Sequence, residues 1–224
     1  APPHLGARRS ARIEAMKVVF FGDTPHRLAG AQKSLLLSLS RLSEFGVDPV
    51  VVVPFGGAFE AACRQSGLEV HVLPAPPAFS SFGRALVRLS AFDQVQVFVR
   101  ELLPFARALA RLTANLGATA IHFNTPRGIT MAGAAATLAG VPSALHLRGV
   151  PSVGRAYWAA SQTLADAFIL VAKALEPYLS RSSLARSRVV YNGVLLPPVV
   201  DRVRARARLL QRLADRGVEV DPES

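Results

Sequence analysis

The feature that most limits the fold of this chain is the recurrence of short, unbroken apolar runs separated by stretches of helical periodicity. The runs fall at residues 17–21 (KVVFF), 49–53 (PVVVV), 69–73, 118–123, 143–147, 167–171 and 188–191. Helical patterns occupy 31–45, 59–66, 83–116 (with a break expected near Pro104), 129–138, 157–164 and 174–179. A strand without polar alternation is covered on both faces, and strands that alternate with helices pair in parallel. The pattern therefore predicts an α/β fold, a doubly wound parallel sheet of about seven strands. In such a sheet ligands bind at the carboxyl ends of the strands, so chemistry is sought in the loops that follow them.

Composition sets the bounds. The 224 residues are half apolar, enough for one large domain with a substantial core. Cys63 is the only cysteine, so no intrachain disulfide forms, which fits a reducing cytoplasm. The net charge of +11 is almost all arginine, because lysine occurs only at Lys17, Lys33 and Lys173. Two readings stay open: arginine spread over a solvated surface, or attraction to anionic partners such as nucleotide phosphates or acidic lipid headgroups. A nucleic-acid partner is not expected, since no basic cluster is interleaved with stacking aromatics. No segment approaches the roughly 18 uninterrupted apolar residues of a membrane span. Residues 1–15 carry Arg8, Arg9 and Arg12 without an apolar stretch behind them and are read as a flexible extension or tag.

At the strand ends, the first run is followed by Gly22-Asp23-Thr24-Pro25-His26-Arg27-Leu28-Ala29-Gly30-Ala31-Gln32, which is not the G-x-G-x-x-G of a dinucleotide site. Gly30 and Ala31 instead open the first helix with small residues. That leaves amides free for a phosphate, or simply eases a turn. His122, Asn124, Thr125 and Arg127 stand at the end of the fourth run; His146, Arg148 and Gly149 stand at the end of the fifth. Either histidine alone is read first as a satisfied core residue, but together these two ends bring His, Asn and Arg toward one crevice. Asp166 precedes its strand, at the wrong end for chemistry. Asp23 is better placed, although a loop aspartate is usually a turn former. No spacing points to a metal site, and the G-x-S-x-G nucleophile elbow is missing.

Four segments in order carry a family resemblance: Ala29-Gly30-Ala31-Gln32 before a leucine-rich helix; Ala139-Gly140-Val141-Pro142 leading into residues 143–146; Ala165-Asp166-Ala167-Phe168-Ile169-Leu170-Val171; and Val190-Tyr191-Asn192-Gly193-Val194. They resemble the Gly-Gly-Ala-Glu, AGVP-strand-His, ADAVIAVS and VIYNGVD segments of GT4-type glycosyltransferases, in the Rossmann-like N-terminal half of a GT-B fold. Ala29 and Leu195 depart from that pattern.

The resemblance implies a retaining transfer of a sugar from a nucleotide-sugar donor to a hydroxyl acceptor (glycan, lipid-linked or small molecule), without metal or other cofactor. It places His146 beside the reacting sugar as the catalytic residue. Gly30, Ala31 and Gln32 then lie toward the donor diphosphate with Arg148, and Asn124 and Arg127 toward the acceptor. It divides the chain into 16–198, the acceptor-side domain, and 199–224, a basic helix (199–216) leading to a missing C-terminal domain or a partner chain. The family's second domain carries an E-x7-E pair, and no two glutamates here stand eight positions apart. Alone, the chain is expected to be inactive. The alternative is a non-catalytic binding or assembly module derived from such a domain; an unrelated Rossmann oxidoreductase is disfavoured by the absent glycine fingerprint. The expected location is cytoplasmic, with a peripheral contact at the inner membrane surface through the helix 83–112, which bears Arg84, Arg88, Arg100, Arg107 and Arg111. A solvated basic face explains the same residues.

Overall fold

The computed structural model describes residues 15–217 apart from 25, 27, 82–88, 152–153 and 194–200. Seven strands form one sheet: β1 Met16–Phe21, β2 Val47–Val53, β3 Glu69–Val72, β4 Ala120–Phe123, β5 Ser143–Leu147, β6 Ala167–Leu170 and β7 Ser187–Val189. Every pairing is parallel, in the order β3-β2-β1-β4-β5-β6-β7. The chain winds outward from β1 to β3, returns past β1, then winds the other way from β4 to β7. The reversal falls between β1 and β4, where the loops leaving adjacent strands part and open a crevice. The doubly wound sheet expected from the sequence is the one observed.

Ten α-helices lie in the described residues: α1 Gly30–Leu39, α2 Ala58–Gln65, α3 Pro77–Ser81, α4 Ala91–Val97, α5 Leu103–Asn115, α6 Pro126–Ala132, α7 Ala134–Ala139, α8 Arg155–Leu164, α9 Arg181–Ala185 and α10 Arg202–Ala214. Alternation along β1 sends Val19 and Phe21 to one face and Val18 and Phe20 to the other. On the first face the Phe21 ring meets those of Phe79, Phe105 and Phe123 at centroid distances of 5.9, 6.0 and 5.9 Å. On the second face Leu35, Leu39, Phe59 and Cys63 close the core. Burial pushes the Cys63 thiol up to about 12, so it sits there as a small apolar group.

Several helices differ from the sequence reading. The stretch 31–45 is not one helix. α1 ends at Leu39, and a 3₁₀ turn, Leu42–Phe45, closes on Gly46 at φ 74°. Ser38 and Ser40 bond back to the carbonyls of Ser34 and Leu37, the competition with helix geometry that serine side chains offer. No break occurs near Pro104: α4 runs through a π turn, Phe98–Leu102, into α5. Pro104 lies inside this continuous helix, directly after the π turn in which the Leu103 N–H bonds to the Phe98 carbonyl. The stretch 129–138 divides at Gly133, which packs so tightly that a Cβ there would collide with the Ile129 carbonyl. α3 and α9 lie outside the stretches of helical periodicity; α9 is capped by Ser180, which accepts from the Ser183 N–H. Residues 173–178 form a 3₁₀ turn around Pro177 rather than an α-helix. Arg84 and Arg88 lie outside the described residues.

The chain divides into two compact units, Ala1–Gly193 and Val194–Ser224. In the second, Asp201 caps α10 by accepting from the N–H groups of Val203 and Arg204 at 3.0 and 3.3 Å.

Candidate functional site

The ends of β1, β4 and β5 carry one connected set of polar groups. Arg148 follows β5 and is its centre. Its Nε donates to Asn124 Oδ1 at 2.6 Å, just beyond β4. Its Nη1 donates to Ser34 Oγ on α1 at 3.0 Å and to Asn192 Oδ1 beyond β7 at 3.2 Å. Its Nη2 lies 3.2 Å from His146 Nδ1. The Ser34 hydroxyl in turn donates to Asn192 Oδ1 at 2.8 Å. The guanidinium is thus oriented by four side chains from four parts of the chain, and it pairs with no carboxylate among the described residues. Burial draws its pKa down to about 10, so it stays cationic at neutral pH.

This geometry fixes the state of His146. A guanidinium only donates, so His146 Nδ1 must be the bare nitrogen and the ring proton sits on Nε2. His122, inward on β4, lies with its Nε2 3.3 Å from the same Nδ1. Burial, then the Arg148 charge, lowers the pKa of His122 to about 3. Burial, Arg148 and His122 lower that of His146 to about 2. Both rings are neutral at physiological pH. His146 Nε2 is buried without a partner, an N–H free to donate. A neutral ring with its proton so placed serves as a hydrogen-bond donor and is too weakly basic for general-base work.

Beside this network lies a cavity of about 290 Å³ lined by Asp23, Thr24, Asn124, Thr125, Arg127 and Arg148, with Gly149 to Pro151 as its outer wall. Thr125 caps α6: its oxygen accepts from the Gly128 N–H at 3.0 Å and its proton goes to Asp23. Arg127 donates through Nη2 to the Phe79 carbonyl and stacks its guanidinium 5.5 Å from the Phe79 ring centroid. On the opposite sheet face a more apolar groove of about 420 Å³ runs past Val18, Phe20, Leu35, His122 and His146.

The structure brings His146, Asn124 and Arg148 into direct contact, and Arg127 onto the same cavity wall as Asn124. Gly30 opens α1 with no side-chain cap, and a Cβ there would meet nothing within 4 Å, so the helix terminus stands open. Gln32 turns inward; its amide donates to Thr24 Oγ1 at 2.9 Å and holds the β1–α1 loop, while its Oε1 has no partner. Sequence reasoning missed Ser34 and Asn192, which complete the Arg148 cradle. Asn192 entered only within a resemblance segment; its place three residues beyond the last strand was the available signal. Thr125 was noted only as part of a run, although a Thr before Pro-x-Gly is a helix-cap pattern.

An all-parallel sheet whose switch point gathers a half-buried arginine, a donating imidazole and an open helix terminus defines an α/β domain with a cationic, donor-rich edge. Residues 29–193 match the model of the glycosyl transferase 4-like domain, and the chain belongs to that family. This bears out the resemblance read from the four segments. Comparison with curated proteins gives no match. Among solved structures, Anabaena HepE in complex with UDP and glucose is similar with a TM-score of 0.64 and 18% identity, over 88% of this chain and 50% of that one. A glycosyltransferase from Rickettsia africae is similar with a TM-score of 0.59 and 11% identity, over 89% and 49%. The lipopolysaccharide outer core galactosyltransferase WaaB matches with a TM-score of 0.59 and 12% identity, over 83% and 48%. These likenesses are of fold. The chain spans about half the length of these solved chains.

Proposed function

We propose that this chain is the acceptor-side half of a retaining glycosyltransferase, which moves a sugar from a nucleotide-diphosphate donor to a hydroxyl. The observation that carries the reading is Arg148: a half-buried, oriented guanidinium that pairs with no carboxylate among the described residues, held against α1 through Ser34. A cation so held favours an anion, and the open amides at Gly30 and Ala31 supply further donors on the same helix. Gln32 acts by fixing the loop before them. The donor's anomeric C–O bond breaks toward the diphosphate, and the acceptor oxygen forms its bond to the same carbon on the same face. The acceptor's proton passes to a departing phosphate oxygen. Charge growing on that phosphate is stabilised by Arg148 and the α1 amides. His146 donates its Nε2–H to a hydroxyl of the transferring sugar; Asn124 and Arg127 line the acceptor side. A second domain or partner chain holds most of the nucleotide, so this half alone transfers nothing.

The relatives' names support this reading: HepE was solved with UDP and glucose, and WaaB is a galactosyltransferase. Among the described residues no helix is long and apolar enough to cross a membrane. We place the protein in the cytoplasm with a peripheral contact to the inner membrane surface. Phe92, Val95, Phe98 and Val99 are exposed along α4 and its π turn, and Arg100, Arg107 and Arg111 follow on the same continuous helix.

Titrating UDP-glucose and GDP-mannose into the isotope-labelled chain tests the site. At least one should shift the amides of Gly30–Gln32 and of Arg148–Gly149, and Arg148→Met should weaken that binding about 10-fold. Absence of those shifts, or equal binding by Arg148→Met, refutes the assignment.

A further inference from the structure

Asp23 is a buried acid that the proposed transfer leaves unused. It directly follows Gly22 at the end of β1 and is only 2% exposed. The Thr125 side chain hydrogen-bonds to its carboxylate, and the same hydroxyl's oxygen accepts from the Gly128 N–H. The other oxygen, Oδ1, is buried and has no partner. Leaving such an oxygen unmet opposes folding, a cost removed when a donor enters. Burial raises the carboxyl above its ordinary value, and neither the Thr125 hydrogen bond nor the Arg127 charge reverses that.

The donor that Oδ1 awaits must come through the cavity whose wall Asp23 shares with Thr24, Asn124, Arg127 and Arg148. At about 290 Å³ this space is at the small end for ligand pockets, of a size for one monosaccharide ring rather than a nucleotide. Two guanidinium groups on the same wall disfavour an ammonium donor. Neutral hydroxyls remain, and Asn124 and Thr24 add the mixed donors and acceptors that a polyhydroxylated ring uses.

We propose that Asp23 binds a ring hydroxyl of the acceptor sugar, its Oδ1 accepting that hydroxyl's hydrogen bond inside this cavity. The inference rests on the glycosyltransferase reading only in calling the ligand the acceptor. A site built on a buried polar group rejects the analogue that lacks the matching hydroxyl, so Asp23 would also set specificity.

The isotope-labelled chain is titrated with methyl α-D-glucopyranoside, methyl α-D-galactopyranoside and methyl α-D-mannopyranoside, following the amides of residues 23–24, 124–128 and 148–150. At least one glycoside should shift them. Asp23→Asn, Asp23→Ala and one monodeoxy form of that glycoside should each weaken binding about 10-fold or more. Asp23→Asn should melt at or above the wild-type temperature, because it removes a buried, half-unpaired carboxylate. Silence of these amides toward all three glycosides, or undiminished binding by the variants, overturns the proposal. So does a lower melting temperature for Asp23→Asn, which would make Asp23 a structural residue. UDP-glucose is titrated in parallel. Nucleotide binding without Asp23-dependent glycoside binding sinks this inference and spares the glycosyltransferase reading; the reverse result does the opposite.

Discussion

Because His122 and His146 are held neutral, acid should unfold this protein by a route readable at the single tryptophan. In the unfolded chain both rings titrate near 6.5, while in the fold they resist protonation down to about 3 and about 2. Between those limits the unfolded state binds more protons, so stability is intact above pH 6.5 and falls as pH drops through the window toward 3. Each ring contributes about 1.4 kcal/mol per pH unit, so at pH 5.0 the pair costs about 4 kcal/mol relative to pH 7.5. Asp23 works against this: its carboxyl is raised from 3.8, so the fold takes up a proton before the unfolded chain does. The Asp23→Asn background therefore isolates the histidines. Trp158, whose indole N–H donates to the Tyr178 carbonyl at 2.7 Å, reports unfolding. With a urea m-value of about 2 kcal/mol/M, the midpoint in Asp23→Asn should fall by about 2 M between pH 7.5 and 5.0. A shift under about 0.5 M in that background, or imidazole nitrogen spectra showing a proton on His146 Nδ1, would refute the neutral-pair reasoning.

Two further outcomes follow from packing and surface. Gly133→Ala should lower the melting temperature by about 5 °C or more, since its Cβ would meet the Ile129 backbone carbonyl and not a movable side chain; an unchanged temperature would mean that the α6–α7 junction relaxes freely. The chain should cosediment with phosphatidylglycerol vesicles and not with phosphatidylcholine ones, and Phe92→Asp with Phe98→Asp should abolish this; retention by the double variant would discard the membrane contact.

The strands were legible because burial on both faces leaves a chemical trace, a continuous apolar run, and all seven lie within a few residues of their expected places. Helix ends were less legible because they turn on single hydrogen bonds. Ser38 and Ser40 close α1 early, and Ser180 opens a helix that periodicity does not show. Pro104 misled because a proline inside a helix need not end it: here the bonding shifts to a π turn just ahead of it and the helix continues. For the site, the rule that parallel sheets bind at their carboxyl ends led to His146, Asn124 and Arg148. It said nothing of Ser34 and Asn192, which meet across 158 positions of sequence and hold the arginine in place. Composition carries no signal for a contact of that range.

Two aspartates show where this molecule tolerates unsatisfied groups. Asp166, at the amino end of β6, is exposed; its Oδ2 accepts from both the backbone N–H and the hydroxyl of Ser143, at 2.8 and 2.9 Å. Asp23, at the carboxyl end of β1, is buried and keeps one oxygen idle. Solvent serves the second oxygen of the first and cannot reach the idle oxygen of the second, so only Asp23 carries an uncompensated cost to stability. The same bias recurs in the unpartnered Nε2 of His146 and in the carboxylate-free charge of Arg148, all at one end of the sheet. Groups that oppose folding at one edge of an otherwise well-packed domain are best explained by a ligand that completes them there.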